Sequence, residues 1–225
     1  MKHFNNFLNL LREHEDIKIK YKNESLLMKI LSKILFFNKF DNYITTFGNT
    51  VYFPSKEHIK KYEIDSIITL GHEFVHICDS KNKIKFLSNY LFPQTYFIFS
   101  LIIFLLFFSK LWFLSLIFLL PLPSPGRKEL ELRGYKANLL GVHIVMNLKS
   151  ISKEEQKNKF NNIINELNKE FIGPSYYFMW PFGVKKELNI IVDDLLNNKI
   201  NYYDFPYNLI RMYIEEVLLD YNLKK

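Results

Sequence analysis

The sequence predicts an α+β protein, mostly helical, with a small β hairpin early in the chain and an apolar helical hairpin inserted between two longer helices. Three observations lead there. Several segments repeat apolar residues at the 3.6-residue period of a helix, as Leu27, Ile30, Leu31, Ile34 and Leu35 do. One stretch departs from that period: Tyr43–Thr46 and Thr50–Phe53 are rich in β-branched and aromatic residues and flank Phe47-Gly48-Asn49, which reads as a hairpin. Residues 90–122 are almost wholly apolar and are closed by Pro121, Pro123, Pro125 and Gly126.

In chain order, Phe4–Arg12 reads as a short amphipathic helix and Ser25–Phe37 as a second. The hairpin follows, and Pro54-Ser55 ends it and caps a short helix. A longer helix is expected from about Asp65 to Ser80, and another from Lys128 to Leu148 beyond the apolar run. Ser152 caps the next, with Glu154 and Glu155 in its first turn, where the helix dipole favours them. Gly173-Pro174 and Pro181-Phe182-Gly183 bracket an aromatic loop, Ser175–Trp180. Helices around Lys185–Asn197 and Pro206–Tyr221 finish the chain.

The 225 residues suit a single domain over 1–225, with 90–122 as an inserted, membrane-associated helical hairpin. Alanine occurs once, at Ala137, against heavy use of Asn, Lys, Ile and Phe, as in an AT-rich genome. The net charge is +7. No helix-turn-helix signature or basic recognition run accompanies it, so nucleic acid is not the expected partner. Basic residues flank the apolar run instead, which fits an anionic membrane face. The single Cys78 excludes an internal disulfide and argues against a thiolate-built zinc site. The start, MKHFNNFLNLL, lacks the apolar core and cleavage site of a signal peptide, so a cytoplasmic location is expected for the polar parts.

Residues 72–76 read His-Glu-Phe-Val-His. On a helix the two histidines stand one turn apart on one face, so both imidazoles reach one zinc ion. Glu73 is placed to act as general base on a zinc-activated water that attacks a peptide carbonyl. A catalytic zinc needs a third protein ligand and one open position. The extended metzincin pattern would need Gly and then His or Asp where Asp79 and Asn82 stand, so that class is not expected. A glutamate of the later helix is the alternative, and Glu129 and Glu131 both qualify. Glu131 is preferred: Gly134 and Gly141 flank its face and permit close approach of the His72 helix, while Glu129 points ~160° away.

His-Glu-x-x-His, apolar segments and a Glu-x-x-small helix together resemble the gluzincin metallopeptidases, most of all their membrane-embedded HtpX-like and CAAX-prenyl-protease-like branch. The resemblance spans about residues 65–142. It implies a zincin-like domain, zinc as cofactor on His72, His76 and Glu131, Glu73 as general base, and a peptide or protein as substrate. In one departure, Tyr135 stands where those enzymes usually carry Asp. Asp79 is then either a carboxylate supporting His76 or a solvated helix-end residue.

His76 lies before the apolar run and Glu131 after it, so both ends must sit on one side of any bilayer. The run should turn back near Ser109-Lys110, with arms of about 12–15 residues, ~20 Å each. The alternative is a helical hairpin buried in a soluble core. Lys81, Lys83 and Lys85 at one end and Arg127 and Lys128 at the other point to the cytoplasmic side.

Tyr135 and His143 are further candidates to donate to an oxyanion or a ligand. His143, ~120° round the helix from Glu131, reads better as a hydrogen-bonded histidine. Tyr176 and Tyr177 offer the same chemistry as Tyr135, and packing is the better reading for all three. His3, His14 and His58 are expected at the surface, and Thr50–Phe53 is a candidate edge strand for an extended substrate. The sequence thus points to a membrane-associated zinc peptidase. The rival reading is a non-catalytic membrane protein with a structural or vestigial metal site, closed by Asp79 if that residue is a fourth ligand.

Overall fold

The computed structural model describes residues 1–34, 40–92, 96–107, 123–173, 180, 182–199 and 205–222. Its first helix, α1 (Lys2–Arg12), buries Phe4, Phe7, Leu8 and Leu11, one stripe at helical spacing. Strand β1 (Lys18–Tyr21) and helix α2 (Leu26–Ile34) follow. Strands β2 (Thr45–Phe47) and β3 (Thr50–Phe53) form the expected hairpin, paired antiparallel with Thr46 opposite Val51. Gly48 supplies the left-handed turn residue at φ +58°.

The sheet has three strands in the order β1-β3-β2, not two. β1 runs parallel to β3, with Lys18 opposite Thr50 and Tyr21 opposite Phe53. This corrects the expectation that Thr50–Phe53 is an edge strand: β3 is central, buries Val51, Tyr52 and Phe53, and leaves β2 at the edge.

Ser55 accepts a hydrogen bond from the His58 backbone N–H at 3.1 Å and caps α3 (Lys56–Lys61), as expected. Helix α4 (Glu63–Asp79) starts slightly earlier than anticipated, with Glu63 and Asp65 in its first turn. Its first carboxylate is tied to α1: Glu63 Oε1 accepts from the Phe4 N–H at 3.0 Å and from the chain N-terminus at 2.6 Å. Helix α5 (Lys83–Leu91), capped by Asn82 Oδ1, occupies a stretch where the sequence suggested no element. Helix α6 (Tyr96–Phe107) is the described part of the apolar run. The proposed turn at Ser109-Lys110, the tail of the second predicted helix beyond Ile34, and Tyr176 and Tyr177 lie outside the described residues.

Helix α7 (Pro125–Leu148) begins at Ser124, whose side chain accepts from Arg127 N, with Pro125 in the first turn, where its missing N–H costs nothing. Helices α8 (Lys153–Ile172), α9 (Val184–Leu196) and α10 (Tyr207–Asn222) follow, with Ser152 capping α8 through Glu155 N as expected. The molecule is thus mostly helical with one small sheet. Its most extensive helix pair is α4 against α7, and α10 packs on both. Two glycines set that approach. A Cβ on Gly134 would lie 2.5 Å from His72 Nε2, and one on Gly141 would lie 3.0 Å from Ile68 Cγ1. The glycine pair that suggested close helix contact does sit at the contact.

Candidate metal centre

His72, Glu73 and His76 project from the middle of α4 and Glu131 from the second turn of α7. All four are buried, each no more than 8% exposed. His72 Nε2 and His76 Nε2 stand 3.0 Å apart, and Glu131 Oε2 lies 3.6 Å from each. Ligands about 2.0–2.1 Å from a tetrahedral ion are separated by roughly 3.3 Å. The three atoms already form one face of such a tetrahedron. The donor set is also right in kind: two imidazole nitrogens and a carboxylate oxygen converge, with no thiolate. Neither Nδ1 has a hydrogen-bond partner among the described residues, so nothing on that side fixes which nitrogen is protonated. The cluster can hold a metal ion. Glu129, the other candidate, is exposed.

The electrostatics of the metal-free cluster follow from burial and proximity. Burial pulls the His76 pKa down, but the Glu131 carboxylate more than reverses this, helped by Glu73 and Asp79, and the pKa rises to about 9. Burial pushes the Glu131 carboxyl up, yet the two imidazoles hold it well below the usual carboxylate range. A protonated imidazole therefore occupies part of the charge role that a cation would take.

Glu73 faces a different neighbour. Thr46 Oγ1, on edge strand β2, donates to Glu73 Oε2 at 2.6 Å. Sequence reading flagged the strand but not this residue; the only local signal was a hydroxyl in the middle of a short hairpin strand. Lys22, directly after β1, was also missed. It is buried, donates to Phe40 O at 2.7 Å and stands 3.7 Å over the Phe40 ring. Burial lowers its pKa to about 8 against the pull of Asp41 and Glu73.

The remaining candidates are not ligands. Both carboxylate oxygens of Asp79 pair with Arg133, at 2.9 and 3.0 Å, so Asp79 neither supports His76 by a hydrogen bond nor caps the cluster. It instead ties the end of α4 to α7, two residues past Glu131. Tyr135 packs its ring edge-on to His72 at 4.9 Å, and its side chain hydrogen-bonds Glu170. His143 lies about 18 Å further along α7, given ~1.5 Å per residue. It belongs to a closed hydrogen-bond circuit: Nδ1 bonds Gln156 Oε1 at 3.1 Å, Nε2 accepts from Asn147 Nδ2 at 3.1 Å, and Gln156 Nε2 donates to Asn147 Oδ1 at 2.9 Å. That corrects any role for His143 beside the metal ligands and bears out its reading as a hydrogen-bonded histidine.

The surface assignment of the other histidines holds only for His14, which is exposed yet bonded to Tyr213 Oη at 3.2 Å. His3 and His58 are half-buried, the latter against Tyr62. His58 also borders a cavity of about 270 Å³ that reaches His72 and Glu73, with Ile44, Tyr135 and Asn138 on other walls. Compared with protein-family models, curated proteins and solved structures, the chain matches none of them.

Proposed function

We propose that this protein is a zinc-dependent peptidase of gluzincin type that works at a membrane surface. The observation that carries the reading is the convergence of His72, His76 and Glu131 around one point, with Glu73 beside them and held separately. When bound, zinc supplies a Lewis acid that lowers the pKa of water and polarises a carbonyl. The chain's own residues do the rest. His72 and His76 present Nε2 and Glu131 presents Oε2 as three fixed donors. Thr46 holds Oε2 of Glu73, which leaves Oε1 to take the proton of the attacking water and pass it to the departing amine. The outer edge of β2 is unpaired among the described strands and lies beside Glu73, so an extended peptide can pair with it.

Two observations support hydrolysis over a closed, structural metal site. Asp79, the available fourth ligand, is taken by Arg133. A cavity reaches His72 and Glu73, so a substrate group has room to enter.

Membrane association rests on exposed apolar side chains beside basic ones. Ile84 and Leu87 on α5 are 84% and 51% exposed, among Lys81, Lys83 and Lys85, and α6 exposes Ile102, Ile103, Leu105 and Phe107. No described helix is long and apolar enough to cross a membrane. The association proposed rests on the exposed apolar side chains of α5 and α6 beside the lysines. The basic flanks favour the cytoplasmic face.

Metal content and peptide hydrolysis, measured on four variants, test the reading. His72→Ala should empty the site. Glu73→Gln should keep metal and fold while losing activity by roughly 10²–10⁴-fold. Glu131→Gln should lose metal and activity together, and Glu129→Gln should change neither. Full activity in Glu73→Gln would leave a structural metal site only.

A further inference from the structure

Helix α2 turns an apolar side away from the protein. Met28 is its buried anchor, while Leu26, Leu27 and Ile30 stand 75%, 49% and 49% exposed. At ~100° per residue, Leu26, Ile30 and Leu27 share one arc of about 100°, and Met28 points at least ~100° away from all three. A helix on a soluble surface lays such a stripe on the core. Single exposed leucines need no explanation, but three on one arc of a nine-residue helix form a patch.

The charges beside that arc identify what covers it. Lys29 and Lys33 are exposed and lie ~60° and ~20° outside its Leu26 edge. No acidic side chain occurs within Leu26–Ile34, so the helix itself carries two positive charges and no negative one. Asp41 meets α2 through Ser32, whose hydroxyl donates to its carboxylate at 2.6 Å, at least ~120° round the helix from the three apolar residues. An apolar arc with lysines along its border is the pattern of a helix lying in the headgroup layer, its apolar side down and its lysines reaching lipid phosphates. A second copy of this chain would set the same lysines against one another, which like-charge repulsion disfavours.

Resting on the membrane reading proposed above, we infer that α2 is a second lipid-contact element, separate from α5 and α6, which docks its Leu26, Leu27 and Ile30 face on an anionic bilayer surface. The helix is also tied to the strand beside the metal cluster. Asp41, held by Ser32, is followed within a few residues by β2, whose Thr46 bonds Glu73. Lipid contact at α2 therefore lies at the start of the segment that supports Glu73.

The test uses the full chain with one polarity-sensitive fluorophore, nitrobenzoxadiazole, attached at Ile30→Cys, and a second sample labelled at Ile84→Cys on α5. Ile30 and Ile84 are both exposed, so the fold accommodates either label, and the wild type, with Cys78 alone, gives the background when treated alike. On vesicles containing phosphatidylglycerol, the Ile30 probe should brighten and shift to the blue, and lipids with doxyl-labelled chains should quench it. Lys29→Glu combined with Lys33→Glu should weaken binding to those vesicles by at least about tenfold, at a scale of roughly fivefold per lysine near an anionic surface. A silent Ile30 probe beside a responding Ile84 probe overturns the inference and leaves the membrane reading standing. Silence of both probes removes both. Unchanged vesicle binding in the double lysine variant overturns the anionic surface as the occupant. An Ile30 response that grows with protein concentration in the absence of vesicles assigns the face to a second copy and overturns the inference as well.

Discussion

Glu73 and Glu131 are both buried carboxylates beside the same two imidazoles, and their neighbours separate their roles. Glu131 faces both Nε2 atoms at 3.6 Å, whereas Glu73 is held by the Thr46 hydroxyl. His76 shows what a metal must displace. Its pKa rises from 6.5 unfolded to about 9 in the metal-free fold. Its pairing with Glu131 therefore stabilises the metal-free protein fully below pH 6.5, and that contribution is lost as pH rises through about 9. A metal ligand must be unprotonated, so the competition runs the other way. The zinc-induced rise in Tm should accordingly grow between pH 6.5 and 9. Thermal melts with zinc and with chelator across that window check this, and a gain that shrinks with pH would contradict the shared-proton cluster.

At the scale of elements, the α4–α7 contact sets the ligand spacing. Gly134 leaves room for the His72 ring, and the Asp79–Arg133 pair fixes the far end of α4 against α7. Gly134→Ala would put a methyl group 2.5 Å from His72 Nε2, so the ring or the helix must move. The expected result is metal affinity at least about tenfold weaker, with a stability loss of ~1–3 kcal/mol from overpacking. Equilibrium dialysis and denaturant unfolding measure the two. Gly48→Ala, in open space at a left-handed turn, should cost stability but leave metal binding intact. A second junction joins α7 to α8 through the circuit of His143, Asn147 and Gln156. It needs a neutral His143, because protonated Nε2 cannot accept from Asn147. Burial, with Lys153 adding to it against the bond from Gln156, lowers the His143 pKa below 6.5. The unfolded chain thus binds more protons below that pH, and stability contributed here falls as pH drops from about 6.5 towards the folded pKa. His143→Gln should flatten the dependence of ΔG on pH between about 5 and 7, while costing ~1–3 kcal/mol at neutral pH for the broken circuit. An unchanged slope would place the acid sensitivity elsewhere.

The whole molecule carries a net charge of +7, and its described apolar exposure includes α5 and α6. Hydrophobic contact and charge should therefore act together at an anionic bilayer. In flotation with vesicles, the protein should rise with those containing phosphatidylglycerol and bind phosphatidylcholine alone more weakly. Replacing Lys81, Lys83 and Lys85 with Glu should remove most of the difference, and Ile84→Asp should weaken both. Equal recovery on neutral and anionic vesicles would leave the charge with no part in binding, and no flotation at all would remove the membrane from the proposal.

Much of this protein is written locally, and that part was legible. The periodic stripe of α1, the caps at Ser55 and Ser152, and the Gly48 turn depend on neighbours within a few residues, where side-chain spacing and backbone preference act directly. The His-Glu-x-x-His spacing is local too, and Gly134 and Gly141 pointed to Glu131 because a helix face without Cβ atoms admits another helix. Long-range pairing was not legible. β1 joins β3 in parallel across a connection that contains α2, so no turn sequence announces the pairing, and the apolar–polar alternation of Ile17–Tyr21 can mark a strand without naming its partner. That unseen strand made β3 central and left β2 at one edge, where Thr46 meets Glu73. Asp79 found Arg133 across 54 residues, and Glu170 arrived beside Tyr135 from another helix. The sequence by itself determined most of the helices, α5 excepted, the hairpin and the three donors fit for one ion. The tertiary structure alone decided which groups surround those donors, because contacts between distant segments form only when the packed core brings them together.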